Sequence, residues 1–320
     1  MELYLSSTLL ILLFIALDCW INRQGGRRWR NRLRVLTGVV LVVNGCAFWY
    51  IHRPVPADAQ QQLFQGITYN REVRRDPIPM IIHVITIDLT TPGLKFLVTP
   101  PDDRHDFDYS ARTVSQFVEE FGVQLAINAD GFDPWHDHGP WGFYPHKGEG
   151  TNARGLTVSQ GTLVTEGYYP GEYTLYISSD NRVSFNEPIG EVYNAVSGLS
   201  MLFESGIVPE LGRDAYLQQR HPRTAVALDL SGEKLFFILI DGRQPNYSEG
   251  ATIPELIRIV LDYGGYTALN LDGGGSSALV IEGVDGLPQP LNSPIHTRIP
   301  GRERPIANHL GIYARPLSSG

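Results

Sequence analysis

The sequence predicts an α+β fold: mixed β-sheets with a few helices, preceded by a two-helix transmembrane hairpin. Three observations predict it. Two apolar runs near the N-terminus are divided by an arginine-rich stretch, a succession of short β-type runs is divided by turn residues, and only two segments show helical spacing. At 320 residues, the chain beyond any membrane segments suits one large domain.

Residues 1–21 (MELYLSSTLLILLFIALDCWI) and 35–51 (VLTGVVLVVNGCAFWYI) approach the roughly 20 residues a helix needs to cross a bilayer. Between them, NRQGGRRWRNRLR holds Arg23, Arg27, Arg28, Arg30, Arg32 and Arg34 and no acid, which the positive-inside rule places in the cytoplasm. If both runs span, everything beyond His52 lies on the extracytoplasmic side, with Trp49 and Tyr50 as outer interfacial anchors. A cleaved signal peptide fits less well, because the arginines follow the first apolar run instead of preceding it. A lipoprotein reading at Cys46 is the poorer alternative, since Asn44 stands where a small residue is usual. Cys19 and Cys46 both lie in the apolar runs, so the exported part cannot rely on disulfides. The organisation expected is a hairpin over 1–52, a linker over 53–79 and a domain over 80–320.

The net charge is −8, and the first 52 residues set six arginines against Glu2 and Asp18, so the remainder is more acidic still. Such a domain is a poor partner for nucleic acid, and any anionic substrate must be met by local arginines.

Along the domain, strands are expected at 80–89 (MIIHVITIDL), 94–99, 123–128, 155–164, 173–178, 182–187, 224–230, 235–241, 266–272 and 278–283. ARTVSQFVEEFG (111–122) reads as a helix from Val114, Phe117, Val118 and Phe121 at helical spacing. TIPELIRIVLDYGG (252–265) reads as a second, opening on a Thr252/Glu255 capping box with Pro254 in its first turn and closing at Gly264 and Gly265. No internal repeat is present.

The chemistry gathers where apolar strands end in polar residues. In LNLDGGGSSALV (269–280), Gly273, Gly274 and Gly275 allow close backbone approach, so their N–H groups can converge on an anion; Ser276 and Ser277 add hydroxyls and Asp272 stands at the lip. A plain Asp-Gly hairpin turn explains the same residues, although three glycines exceed its needs. ILIDGR delivers Asp241 and Arg243 from a second strand. Paired acids can divide general acid and base roles, and an arginine can hold a phosphate; strand-end punctuation is the blander reading. A third strand leads into Asn128, Asp130 and Asp133 and then an aromatic loop with Trp135 and Trp141, suited to stacking on sugar rings. His136, His138 and His146 match no zinc spacing, and Asp102, Asp103, Asp106 and Asp108 lack EF-hand spacing; both groups read as solvated loop residues. Arg223 is a phosphate-clamp candidate and Arg304 a weaker one, each equally open to an ordinary ion pair. His83 sits on one face of its strand, as a site group or a buried structural histidine.

These residues resemble the phosphodiester glycosidase family. The match rests on N-x-D-G-G-G-S-S (Asn270 to Ser277), P-R-T-A (Pro222 to Ala225), D-G-R (Asp241 to Arg243), A-I-N-A-D-G-F (Ala126 to Phe132) and N-x-P…R-P-I-A-N (Asn292 to Asn308), in family order over roughly 80–315. Many relatives read N-G-x-F-F where this chain has Asn128-Ala129-Asp130-Gly131-Phe132, so Asn128 carries over more directly than Asp130. The resemblance implies an envelope hydrolase of sugar-1-phosphodiesters, of the N-acetylglucosamine-1-phosphodiester kind, acting on an envelope or exopolysaccharide glycan. In that reading Asp272, Asp241 and Asn128 are the catalytic set. Gly273 to Gly275, Ser276, Arg223 and Arg243 neutralise phosphate, while Asn270, Asp130, Trp135 and Trp141 hold sugar. No cofactor is required by the sequence; a divalent cation near the acids is allowed. Two alternatives stay open: a metal-assisted phosphodiesterase cleaving the P–O bond, and a non-catalytic module binding anionic glycans.

Overall fold

The computed structural model describes residues 27–102, 106–168, 173–212 and 215–317, together with Ala16. The chain divides into two compact units, Met1–Val55 and Pro56–Gly320.

In the first unit, Arg27–His52 is one helix whose segment Arg34–His52, 19 residues, is the one stretch among the described residues long and apolar enough to cross a membrane. Within this unit Val35, Val39, Val42, Val43 and Trp49 are exposed. The arginine-rich stretch is not a loop throughout. Arg27, Arg28, Arg30, Arg32 and Arg34 form the first turns of this helix, in keeping with the high helix propensity of arginine. The expected first membrane run, 1–21, lies outside the described residues apart from Ala16, as does Arg23.

The second unit is α+β and mostly strand. A seven-stranded sheet runs in the order Ala59–Phe64, Ile67–Arg74, Met80–Asp88, Lys234–Ile240, Arg223–Leu228, Thr267–Asn270, Ser200–Phe203. A five-stranded sheet runs Pro288–Pro290, Leu279–Glu282, Leu125–Asn128, His309–Tyr313, Lys95–Val98, so the strand nearest the C-terminus is an interior one. Another five-stranded sheet runs Thr162–Glu166, Leu156–Ser159, Val192–Gly198, Tyr173–Ser178, Val183–Phe185. Ladders between these strands are antiparallel. Residues 59–74, expected as linker, are instead the first two strands of the large sheet. Gln60 to Gln62 lie at its exposed edge, which is why the run lacks apolar alternation.

Three apolar clusters explain the layering. One joins inner faces of the sheets through residues such as Ile85, Phe237, Leu269, Ile127, Leu310, Leu175 and Val196. A second packs Ile253, Leu256, Ile257 and Val260 of helix Ile253–Asp262 onto the opposite face of the large sheet at Ile82, Ile238 and Ala225. The third packs helix Val114–Phe121 through Val114, Phe117 and Val118 onto Ala126 and Val280. Each buried Val, Leu, Ile or Phe side chain among these contributes about 1.5–3 kcal/mol. Both helices are closed at their start by a capping box, Thr252 with Glu255 and Thr113 with Gln116. The earlier one begins later than the expected 111, because Arg112 bridges to Ile306.

Candidate active site

Strands Leu125–Asn128 and Thr267–Asn270 end in an asparagine and Lys234–Ile240 leads directly into Asp241, and hydrogen bonds tie the segments that follow to one another. Asn128 is fully buried and acts as a clamp. Its Nδ2 donates to the Asp272 carbonyl at 2.6 Å, and its Oδ1 accepts from Thr224 Oγ1 at 2.9 Å and from the Ala278 N–H at 3.2 Å. The glycine-rich loop is therefore fixed at both ends by one side chain.

Asp241 is equally buried. Its carboxylate accepts from the Ser293 N–H at 2.9 Å, Asn292 Nδ2 at 3.1 Å and His83 Nε2 at 3.2 Å. His83 Nδ1 in turn meets the Tyr69 hydroxyl at 2.8 Å, so the histidine sits between two buried partners, and burial pushes the Tyr69 hydroxyl up to about 12. Through Asn292, which also donates to the Ser277 carbonyl and accepts from the Leu279 N–H, Asp241 holds the start of the 292–304 segment against the glycine loop.

The three glycines face three different obstacles. A Cβ at Gly273 would stand 2.8 Å from the Pro222 carbonyl oxygen. At Gly274 it would stand 2.8 Å from Arg243 Nη2, and at Gly275 2.5 Å from Arg304 Nη2. Two guanidiniums are thus laid against successive glycines, which no other residue type permits without displacing them. Two of the loop's N–H groups are used internally, Gly273 to Asp272 Oδ1 at 2.9 Å and Gly274 to the Pro222 carbonyl at 2.9 Å. Positive charge at this loop comes chiefly from side chains.

Arg304 is almost buried and held on several sides. Its Nε donates to His296 Nδ1 at 3.1 Å, Nη1 to Ser276 Oγ at 3.3 Å, Nη2 reaches Asp137 Oδ2 at 3.5 Å, and Cζ lies 5.1 Å from the Trp135 ring centre. Because His296 Nδ1 accepts, the neutral ring carries its proton on Nε2, which is buried with no hydrogen-bond partner among the described residues. Burial first, then Arg304, brings His296 down to about 3, so it stays neutral beside the cation. His221 plays the same part for Arg243, at 3.4 Å, and burial with Arg243 and Arg223 brings it to about 4. Asp272 keeps a partly exposed face. Burial pushes its carboxyl up, while a Ser276 hydrogen bond and Arg304 pull it down, and the upward effect wins. Arg243, Thr297 and Arg298 all have left-handed backbones, with φ of 58°, 52° and 62°, an unfavourable conformation for such residues and one that concentrates at working sites.

A small hairpin, His136–Asp137 paired with Phe143–Tyr144, stands beside this arrangement. Trp135 lies at its base over Arg304; Trp141 lies in its turn and is 89% exposed.

The phosphodiester glycosidase family profile matches residues 121–313. The chain belongs to the phosphodiester glycosidase family. The catalytic domain of zebrafish N-acetylglucosamine-1-phosphodiester alpha-N-acetylglucosaminidase, auto-inhibited by its pro-peptide, superposes with a TM-score of 0.55 at 19% identity, covering 83% of this chain and 86% of that one. A hypothetical protein from Synechocystis superposes with a TM-score of 0.52 at 17% identity, covering 82% of this chain and 64% of that one. At such identities the likeness concerns the fold. No curated protein matches the sequence.

Within this phosphodiester glycosidase domain, the expected site residues separate by exposure. Asp272, Arg243, Trp135 and Trp141 keep exposed surface, while Asn128, Asp130, Asp241, Arg223, Asn270 and Ser276 are buried. Asp130 is enclosed by the Ser197 N–H, Asn308 Nδ2 and Thr157 Oγ1. Arg223 donates to the Ala251 and Gln219 carbonyls, bracing the segments beside Arg243. Asn270 Oδ1 has no hydrogen-bond partner among the described residues. Arg304 stands more centrally than its sequence context signals, and His221, His296 and Asp137 were not expected; the R-x-R spacing of Arg302 and Arg304 was the available hint. Among the described residues, no group of three or more His, Cys, Asp or Glu is placed to hold a metal ion.

Proposed function

We propose that this chain is a membrane-anchored, extracytoplasmic hydrolase that cleaves sugar-1-phosphodiester bonds of the N-acetylglucosamine-1-phosphodiester kind in an envelope or exopolysaccharide glycan. The observation that carries this reading is the pair of guanidiniums, Arg243 and Arg304, laid on Gly274 and Gly275 beside the raised carboxyl of Asp272. A phosphodiester presents a charged group next to an anomeric carbon, and the site offers two cations next to one proton-transfer group.

In hydrolysis at the anomeric carbon, the C1–O bond breaks, the phosphate leaves as a monoester and water supplies the new hydroxyl. The departing phosphate requires charge neutralisation, which the two arginines supply in a fixed arrangement that costs no reorganisation. Neutral His221 and His296 hold those arginines without competing for the substrate's charge. Asp272 takes the proton from the attacking water, and its raised basicity suits that role. Asp241 and Asn128 act from beneath, setting the glycine loop and the 292–304 segment. Trp135 offers a ring for the sugar.

Hydrolysis of UDP-GlcNAc in ¹⁸O-labelled water tests the reading. Label in the released sugar is expected. Label in the phosphate would instead establish P–O cleavage, and binding without turnover would make the domain a glycan-binding module.

A further inference from the structure

The hairpin over 134–145 is more firmly held than a surface turn of its length needs to be. Arg302 Nη1 donates to the Pro140 carbonyl at 2.8 Å and its Cζ lies 4.7 Å from the Phe143 ring centre. Phe143 is buried edge-on against His296 at 4.6 Å, and the Tyr144 hydroxyl donates to the Gly150 carbonyl at 2.6 Å. The turn itself closes by the His138 N–H to the Gly142 carbonyl at 2.7 Å. Yet the residue this braced turn displays is a tryptophan with 89% of its surface in solvent.

Ordering an element in advance lowers the cost of binding with it. Trp135 and Trp141 lie on the same braced element but not at the same height. Trp135 precedes the His136–Tyr144 pair, and Trp141 lies beyond the His138–Gly142 closure. At about 3.3 Å per strand residue, the two positions are separated along the hairpin backbone by on the order of 10 Å. One ring is therefore tied to the arginine at the cleft, and the other stands clear of it.

The surroundings of Trp141 favour a sugar over an apolar partner. Its turn is formed by Gly139, Pro140 and Gly142, and the adjoining His136 and His138 rings are exposed and stacked at 4.9 Å. An isolated exposed aromatic face on a turn whose stem carries exposed imidazoles fits a ring with one apolar face and a rim of hydroxyls. Apolar protein or acyl partners call for a contiguous patch.

We propose that Trp141 forms a distal sugar subsite, so that the substrate is an oligosaccharide or polymer with at least one further sugar ring beyond the phosphodiester being cut. The proposal rests on the sugar-1-phosphodiester hydrolase reading above. It is tested with the full chain in detergent, using UDP-GlcNAc and a tetramer of N-acetylglucosamine joined through 1-phosphodiester links. In Trp141→Ala, the kcat/KM ratio of tetramer to UDP-GlcNAc is expected to fall about tenfold through KM, a change equivalent to about 1.4 kcal/mol. Trp141→Phe is expected to recover most of it. Trp135→Ala should lower kcat/KM for both compounds together. An unchanged ratio in Trp141→Ala would overturn the proposal. If neither compound is hydrolysed, the hydrolase reading fails, and the subsite is decided by titrating the tetramer against tryptophan fluorescence. Tenfold weaker binding by Trp141→Ala supports it, and equal binding overturns it.

Discussion

Replacing Gly275 by alanine tests whether the glycine loop exists to seat an arginine. The backbone there is not left-handed, so alanine is tolerated by conformation and would by itself stabilise the chain by about 0.4–1 kcal/mol. What the methyl group meets is Arg304: its Nη2 at 2.5 Å, Cζ at 2.7 Å and Nε at 3.1 Å, where ordinary contact begins near 3.4 Å. The guanidinium must retreat by about 1 Å, which strains its bonds to His296 and Ser276 and its seat on Trp135; misplacement of that size at a reacting centre costs about 100-fold. The assay is kcat/KM on UDP-GlcNAc beside a thermal melt. A loss of about 100-fold with Tm within a few degrees of wild type is expected. If the loss acts through Arg304, adding Gly275→Ala to Arg304→Ala changes little further, because coupled residues do not lose twice. Wild-type kcat/KM in Gly275→Ala, or losses that simply multiply in the double variant, would refute the reasoning.

Asp241→Asn places an amide among three donors, Ser293 N–H, Asn292 Nδ2 and His83, and is expected to cost about 3 kcal/mol, read as a lower denaturant midpoint; Asp272→Asn should leave the midpoint nearly unchanged while abolishing turnover. Stability should decline as pH falls below 6.5. His296, held near 3 when folded, stays neutral while the unfolded chain takes up a proton, a loss of up to about 1.4 kcal/mol per pH unit down towards the folded value. His309, lowered by burial, acts in the same direction. Asp272 acts oppositely, gaining stability as pH falls through its raised value, so melts between pH 7.5 and 5 should slope less steeply in a His296→Gln variant than in wild type. Because Arg304 pulls the Asp272 carboxyl down, Arg304→Gln should move the acid limb of the kcat/KM–pH profile to higher pH, and an unmoved limb would separate the two groups.

Elements with a local chemical signature were legible in the sequence. Helix Ile253–Asp262 announces itself through Thr252, Pro254 and Glu255, and Met80–Asp88 and Lys234–Ile240 through unbroken apolar runs. Ala59–Phe64 was not, because an exposed edge strand needs no apolar alternation. The phosphodiester glycosidase domain was recognisable from the glycine loop and its companion motifs. What each acid does there was not. A strand-ending Asp-Gly reads the same whether its carboxylate meets solvent, as Asp272 partly does, or the Ser293 N–H, as Asp241 does. Arg304 looks like any loop arginine until the 292–308 segment docks and places it on Gly275.

That docking also carries a statement about time. The strand His309–Tyr313 inserts between Leu125–Asn128 and Lys95–Val98, and the bonds that fix its approach span most of the domain: Asp130 N–H to Asn308 over 178 residues and Thr99 to His309 over 210. Pairings so distant in sequence are slow to form, since a long stretch of chain must be ordered before they are rewarded. The arginine that completes the anion seat lies just ahead of that strand, and the large sheet itself waits on a comparably distant pairing, Met80–Asp88 with Lys234–Ile240, so the seat closes only as the whole domain does. Recovery of turnover after refolding should then coincide with recovery of β-structure and not precede it.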